Sequence, residues 1–151
     1  MKPGESKGQS MRAKPTEIAK ALGLANAESV TLLDLAHRCE EGLPKSCFLR
    51  LHETLAPEGQ KFLNSLISPA SLGRRKDGKL TPCESDGTVR LAHCWQMALE
   101  TFQDESKARR FLSGPHPLLG GRPPMAVLAG STCGAEVIYQ LLGRLRYGSA
   151  A

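Results

Sequence analysis

The stretch from Thr81 to Phe102 constrains the fold of this chain more than any other. Thr81-Pro82-Cys83-Glu84 has the form of a capping box. A threonine hydroxyl accepts a backbone N–H of the first turn, a glutamate three residues on returns the bond, and a proline takes the first helical position. Thr88, Leu91, Ala92, Trp95, Ala98, Leu99 and Phe102 then recur on one side of a helix about five turns long, with Arg90, His93, Gln96 and Glu100 turned away. Trp95 stands at the centre of that stripe and reads as a core anchor. So long an amphipathic helix needs other elements to cover it.

Those elements also read as helices, and the chain is expected to be all-α. Pro15-Thr16-Glu17 opens a short helix carrying Ile18, Ala19 and Leu22, which Gly23 stops. A second, from about Glu28 to Glu41, carries Val30, Leu33, Leu35 and Ala36 and ends at Gly42-Leu43-Pro44. Lys45 to Leu55 presents Phe48, Leu49, Leu51 and Leu55 before Ala56-Pro57 breaks it. Pro57 begins a further segment with Phe62, Leu63, Leu66 and Ile67 as its stripe. After Phe102, Gln103-Asp104 caps a helix in which Ala108, Phe111 and Leu112 face inward.

Composition narrows the function. The chain has 151 residues, 40% apolar and 23% charged, enough for one domain or two very small ones. It has no apolar run of the roughly 18–20 residues that would span a bilayer. Residues 1–15 are rich in Lys, Gly, Ser and Pro without the apolar run of a secretory signal, which predicts a flexible tail and a cytoplasmic protein. Cys39, Cys47, Cys83, Cys94 and Cys133 are odd in number and form no Cys-x-x-Cys pair, which argues against disulfides and zinc. His37, His52, His93 and His116 lie at no ligand spacing, so neither a metal nor a cofactor is expected. Gly120-Gly121-Arg122 follows no strand pattern and lacks the lysine of a phosphate loop. No motif equips the chain as an enzyme.

The net charge of +5 lies wholly beyond Pro44, in Arg74-Arg75-Lys76 with Lys79, in Lys107-Arg109-Arg110, and in Arg144 with Arg146. Ser68-Pro69 gives an N-cap and first-turn proline for a short helix through Leu72 and Arg75 to Asp77-Gly78. Following the segment that ends at Ile67, this makes a helix-turn-helix layout, with Ser71, Arg74, Arg75, Lys76 and Lys79 as candidate DNA contacts. Against it stand the turn Leu66-Ile67-Ser68, which has no glycine, and Gly73 inside the would-be recognition helix, costing about 1 kcal/mol relative to alanine.

The last pattern runs from about Cys133 to Tyr147, with Val137, Ile138, Leu141, Leu142 and Leu145 along one stripe and Gly148-Ser149-Ala150-Ala151 beyond. Such a helix either closes the protein's own core or is offered to a partner.

In order, Glu84-Ser85-Asp86, Arg90-Leu91-Ala92, Glu100-Thr101-Phe102, Asp104, Lys107 to Leu112, Pro117 to Arg122, Pro124, Leu128, Gly134-Ala135, Val137, Leu141 to Arg144 and Tyr147-Gly148 resemble the Xre/MbcA/ParS family of antitoxins, commonly paired with RES-domain toxins. The resemblance is dense over residues 84–148, looser over 42–80, where it is to an Xre-type helix-turn-helix, and leaves residues 1–27 uncovered. One departure is Gly121-Arg122-Pro123-Pro124, where the family often has a threonine before the second proline; the hydroxyl that would cap the next helix is missing.

The resemblance implies an all-α bacterial protein: residues 1–43 a tail with short helices, 44–103 a helix-turn-helix region with its long connecting helix, and 104–151 a small helical toxin-binding domain. It implies an antitoxin that neutralises a RES-domain toxin, one that consumes NAD or transfers ADP-ribose, by covering its active site with the C-terminal helix and tail. Leu141, Leu142, Arg144, Leu145, Arg146, Tyr147, Gly148, Ser149, Ala150 and Ala151 become the candidate toxin-binding residues. It further implies self-association, a homodimer within a toxin–antitoxin hetero-oligomer, and repression of its own operon through operator DNA. The alternative is a DNA-binding regulator whose C-terminal region serves dimerisation.

Overall fold

In a computed structural model the protein is described over residues 13–55, 66–75 and 77–148. The tail before Ala13, the segment with Phe62 and Leu63, Lys76, and Ser149, Ala150 and Ala151 lie outside the described residues. Within them are eight α-helices: α1 (Pro15–Ala21), α2 (Leu32–Glu41), α3 (Lys45–Leu55), α4 (Pro69–Gly73), α5 (Pro82–Phe102), α6 (Glu105–Ser113), α7 (Pro124–Gly130) and α8 (Thr132–Arg146). Two 3-10 turns, Ala27–Ser29 and Pro117–Leu119, join them, and the described residues hold no strand. None of these helices is long and apolar enough to cross a membrane.

The axis is α5. Its capping box forms as expected, with Glu84 N donating to Thr81 Oγ1 at 3.1 Å and Thr81 N to Glu84 Oε1 at 2.8 Å. Helices α1, α2, α3, α6, α7 and α8 all pack on it. A helix surrounded this way is buried over far more than one stripe. His93, expected to face outward, is therefore buried, with Nε2 accepting the Ala13 N–H at 3.1 Å and its ring 4.5 Å from that of Tyr139. The same bond corrects the extent of the expected tail: Ala13 is already packed, and α1 begins at Pro15.

Helix α2 is shorter than the pattern from Glu28 suggests. Val30 is extended, and Thr31 and Asp34 form a second capping box that starts the helix at Leu32. Its two bonds to Thr31 hold the Asp34 carboxyl below the usual carboxylate range. Only Leu35 of α2 is fully buried, while Leu32 and Leu33 stand largely in solvent. The turn that follows threads against residues 79–80. Leu80 N donates to Leu43 O at 2.8 Å, Lys45 N to Gly78 O at 2.7 Å, and Leu43 N to the buried Ser85 Oγ at 2.9 Å. Gly42, at φ 94°, permits this approach, since a Cβ there would lie 2.4 Å from Leu80 O.

From α6, Arg109 Nε donates to Thr54 O at the end of α3 at 2.7 Å, its guanidinium pairs with Glu105 at 2.9 Å, and it lies 5.7 Å from the centre of the Trp95 ring. One member of that basic cluster is thus structural. Burial pushes the Cys94 thiol up, and burial with Asp86 and Glu40 nearby pushes Cys39 up to about 11, so neither is a ready thiolate.

Candidate functional site

Two surfaces were expected to act, and the structure treats them differently. At the first, α4 ends at Gly73, so Arg74 is its C-cap and Arg75 and Lys79 lie in the loop beyond. A five-residue helix is short for a recognition helix. Ser71 is held by Ser68, whose Oγ accepts Ser71 N at 3.1 Å and donates to Ser71 Oγ at 2.9 Å. Arg75 turns inward, pairing with Glu84 at 2.5 Å and donating to Lys79 O at 3.3 Å. Its charge is spent on the glutamate of the α5 capping box. Arg74 and Lys79 remain exposed.

The second surface is built by α7, α8 and the loop before them. Asp104 caps α6 through Lys107 N at 2.8 Å, and Phe111 packs between Phe102 at 5.0 Å and His116 at 5.8 Å between ring centres. His116 then organises the loop. Its Nδ1 accepts Leu118 N at 3.2 Å, its carbonyl accepts Leu119 N and Gly121 N, each at 3.0 Å, and its own N–H donates to Arg122 O at 3.3 Å. Pro123 precedes α7 without any side-chain cap, as the missing hydroxyl predicts. At the α7–α8 corner Ser131 Oγ accepts Gly134 N at 2.9 Å.

Helix α8 divides its expected stripe. Ala135, Ile138 and Leu142 go into the core, and Tyr139 donates to Arg90 O at 3.1 Å. Of the expected toxin-binding leucines, Leu142 is fully buried and Leu141, at 8% exposure, is buried too. Val137 at 46%, Leu145 at 45% and Tyr147 at 47% are about half exposed, and Leu118, at 73%, stands across a groove from Val137. Between the 117–119 turn and α8 runs a groove of about 260 Å³ lined by Leu118, Leu119, Val137, Gln140, Leu141 and Arg144. At the end of α8, Arg146 pairs with Glu100 of α5 and lies 5.4 Å from the centre of the Tyr147 ring. That pair fixes the last turn of α8 to the axis.

Residues 97–148 match the family model of the antitoxin Xre/MbcA/ParS C-terminal toxin-binding domain. The match covers a third of the chain, from the end of α5 to Gly148, and contains the whole groove and the outward side of α8. It supports the antitoxin family and implies a toxin partner for this region. No curated protein matches the chain. Among the described residues no group of His, Cys, Asp or Glu is arranged to hold a metal ion.

Of the groove's lining, Leu118, Leu119, Val137 and Gln140 were not among the residues expected to bind, though Val137 was placed on the apolar stripe of α8. A leucine between Pro117 and Gly120 cannot be assigned a side by periodicity, because the turn has none. The available signal was its setting: an apolar side chain in a tight proline- and glycine-bounded turn has little backbone around it to bury it.

Proposed function

We propose that the chain is the antitoxin of a RES-domain toxin in the bacterial cytoplasm, binding it through the region from Asp104 onward and covering its active site with the end of α8 and Gly148–Ala151. The observation that carries this reading is the set of exposed apolar side chains, Leu118, Val137, Leu145 and Tyr147, inside the stretch that matches a toxin-binding domain. Exposed apolar surface of this kind supplies affinity when a partner covers it. The Arg146–Glu100 pair supports the covering role, because it gives the residues beyond Tyr147 a fixed point of departure. Arg144 lies on the same side and suits acidic groups at the rim of a toxin's cleft.

In a co-expression growth assay with the toxin encoded in the adjacent reading frame, the full chain is expected to protect and a chain ending at Tyr147 to lose protection. Full protection by the shortened chain would mean that the tail does not cover the active site.

Operon repression by a self-associated antitoxin is a second role, favoured by the exposed Arg74 and Lys79 at the end of α4. Replacing both by alanine should weaken an electrophoretic shift of the protein's own promoter by at least about tenfold, at about 1–3 kcal/mol for such contacts, and leave toxin neutralisation intact. A regulator that only dimerises through its C-terminal region would instead show the shift and protect from no toxin.

A further inference from the structure

We propose that the groove between the 117–119 turn and α8 is the socket for one large apolar or aromatic side chain of the toxin, and that this anchor, not the tail, sets the affinity of the complex. The inference rests on the antitoxin reading and deepens it.

Three observations carry it. The groove is apolar where it is lined by Leu118, Leu119, Val137 and Leu141, and at about 260 Å³ it has room for a single bulky side chain. Its free-standing wall is held in place before any partner arrives, because His116 accepts three backbone N–H groups of the turn and donates its own to Arg122 O. A wall fixed by that many backbone bonds does not collapse onto α8, so binding costs little ordering. Every lining residue falls within the segment that matches a toxin-binding domain, which identifies the occupant as the toxin. Gln140 and Arg144 form the polar side of the groove, so the segment that enters is apolar at the anchor and flanked by acceptor or acidic groups. The i, i+4 ridge of Val137 and Leu141 continues past the groove to Leu145, and an anchor seated at its head would lead the toxin along α8 toward the tail.

Val137 is the residue to change, since it lines the groove and is half exposed. Binding of the toxin from the adjacent reading frame to the full-length chain is measured by calorimetry for wild type, Val137→Arg, Val137→Ile and a chain ending at Tyr147. Val137→Arg is expected to weaken binding at least about 30-fold, the loss typical of a central anchor. Its thermal midpoint should remain that of wild type, and Val137→Ile should bind within a few-fold of wild type. The shortened chain should bind nearly as tightly as wild type while failing to inhibit. Wild-type affinity in Val137→Arg, with the complex still forming, overturns the socket and leaves the antitoxin reading standing. Failure of the wild-type chain to bind the toxin removes that reading itself. If Val137→Arg alters only self-association of the chain in sedimentation, the groove belongs to a second copy and the proposal is wrong.

Discussion

Gly134→Ala is expected to destabilise the protein by about 3 kcal/mol, although alanine is the better helix former. Propensity alone would stabilise α8 by about 1 kcal/mol. Sterics oppose it and win, because a Cβ at Gly134 would lie 2.1 Å from Val127 O and 3.0 Å from Val127 C, both backbone atoms that no rotamer change can move. The α7–α8 corner would have to open, and with it the packing of Met125, Leu128 and Ile138. Urea unfolding should show the midpoint lowered at constant slope. Gly73→Ala is the control, since nothing lies within 4 Å of a Cβ there and no loss is expected. A Gly134→Ala protein as stable as wild type would mean that the two helices do not pack this closely.

Two leucines three residues apart on α8 should behave oppositely when changed to aspartate. Leu142 is fully buried in the core, and an unpaired carboxylate there should cost about 4–5 kcal/mol or more, a large part of a typical total of 5–15. Leu142→Asp is expected to give a largely unfolded protein by circular dichroism. Leu145 is 45% exposed, and Leu145→Asp should change stability by only about 0.5 kcal/mol or so. It should keep the helical spectrum and the melting midpoint yet fail to protect cells from the toxin. Equal loss of structure in both would mean that Leu145 is packed as tightly as Leu142.

Much of the fold was legible because the helix ends are marked by local chemistry. Thr81 with Glu84, Ser68 with Pro69, and Asp104 each form the cap that the sequence predicts, because a cap involves only residues within one turn of each other. What failed to read is non-local. Thr31 and Asp34 were passed over because Val30 before them continued an apolar spacing, and the pairing of Arg75 with Glu84 was not legible because Glu84 lies across a loop. His93 looked outward because one stripe was assumed where six helices pack around α5.

The sequence by itself determined an all-helical chain, the capped start of α5, the absence of a metal or phosphate motif, and a last helix whose apolar residues recur along one stripe. Only the tertiary structure decided which of those residues face in. Ile138 and Leu142 are fully buried where α8 packs on α5 and α7, whereas Val137, about a quarter-turn from Ile138, and Leu145, nearly two turns beyond Ile138 on the same side, are left about half exposed among the described residues. A helical period specifies which side chains share a face, but which face is buried depends on where the neighbouring helices lie. Here the loop held by His116 leaves a groove beside α8 instead of a lid over it, and that arrangement keeps Val137 about half exposed.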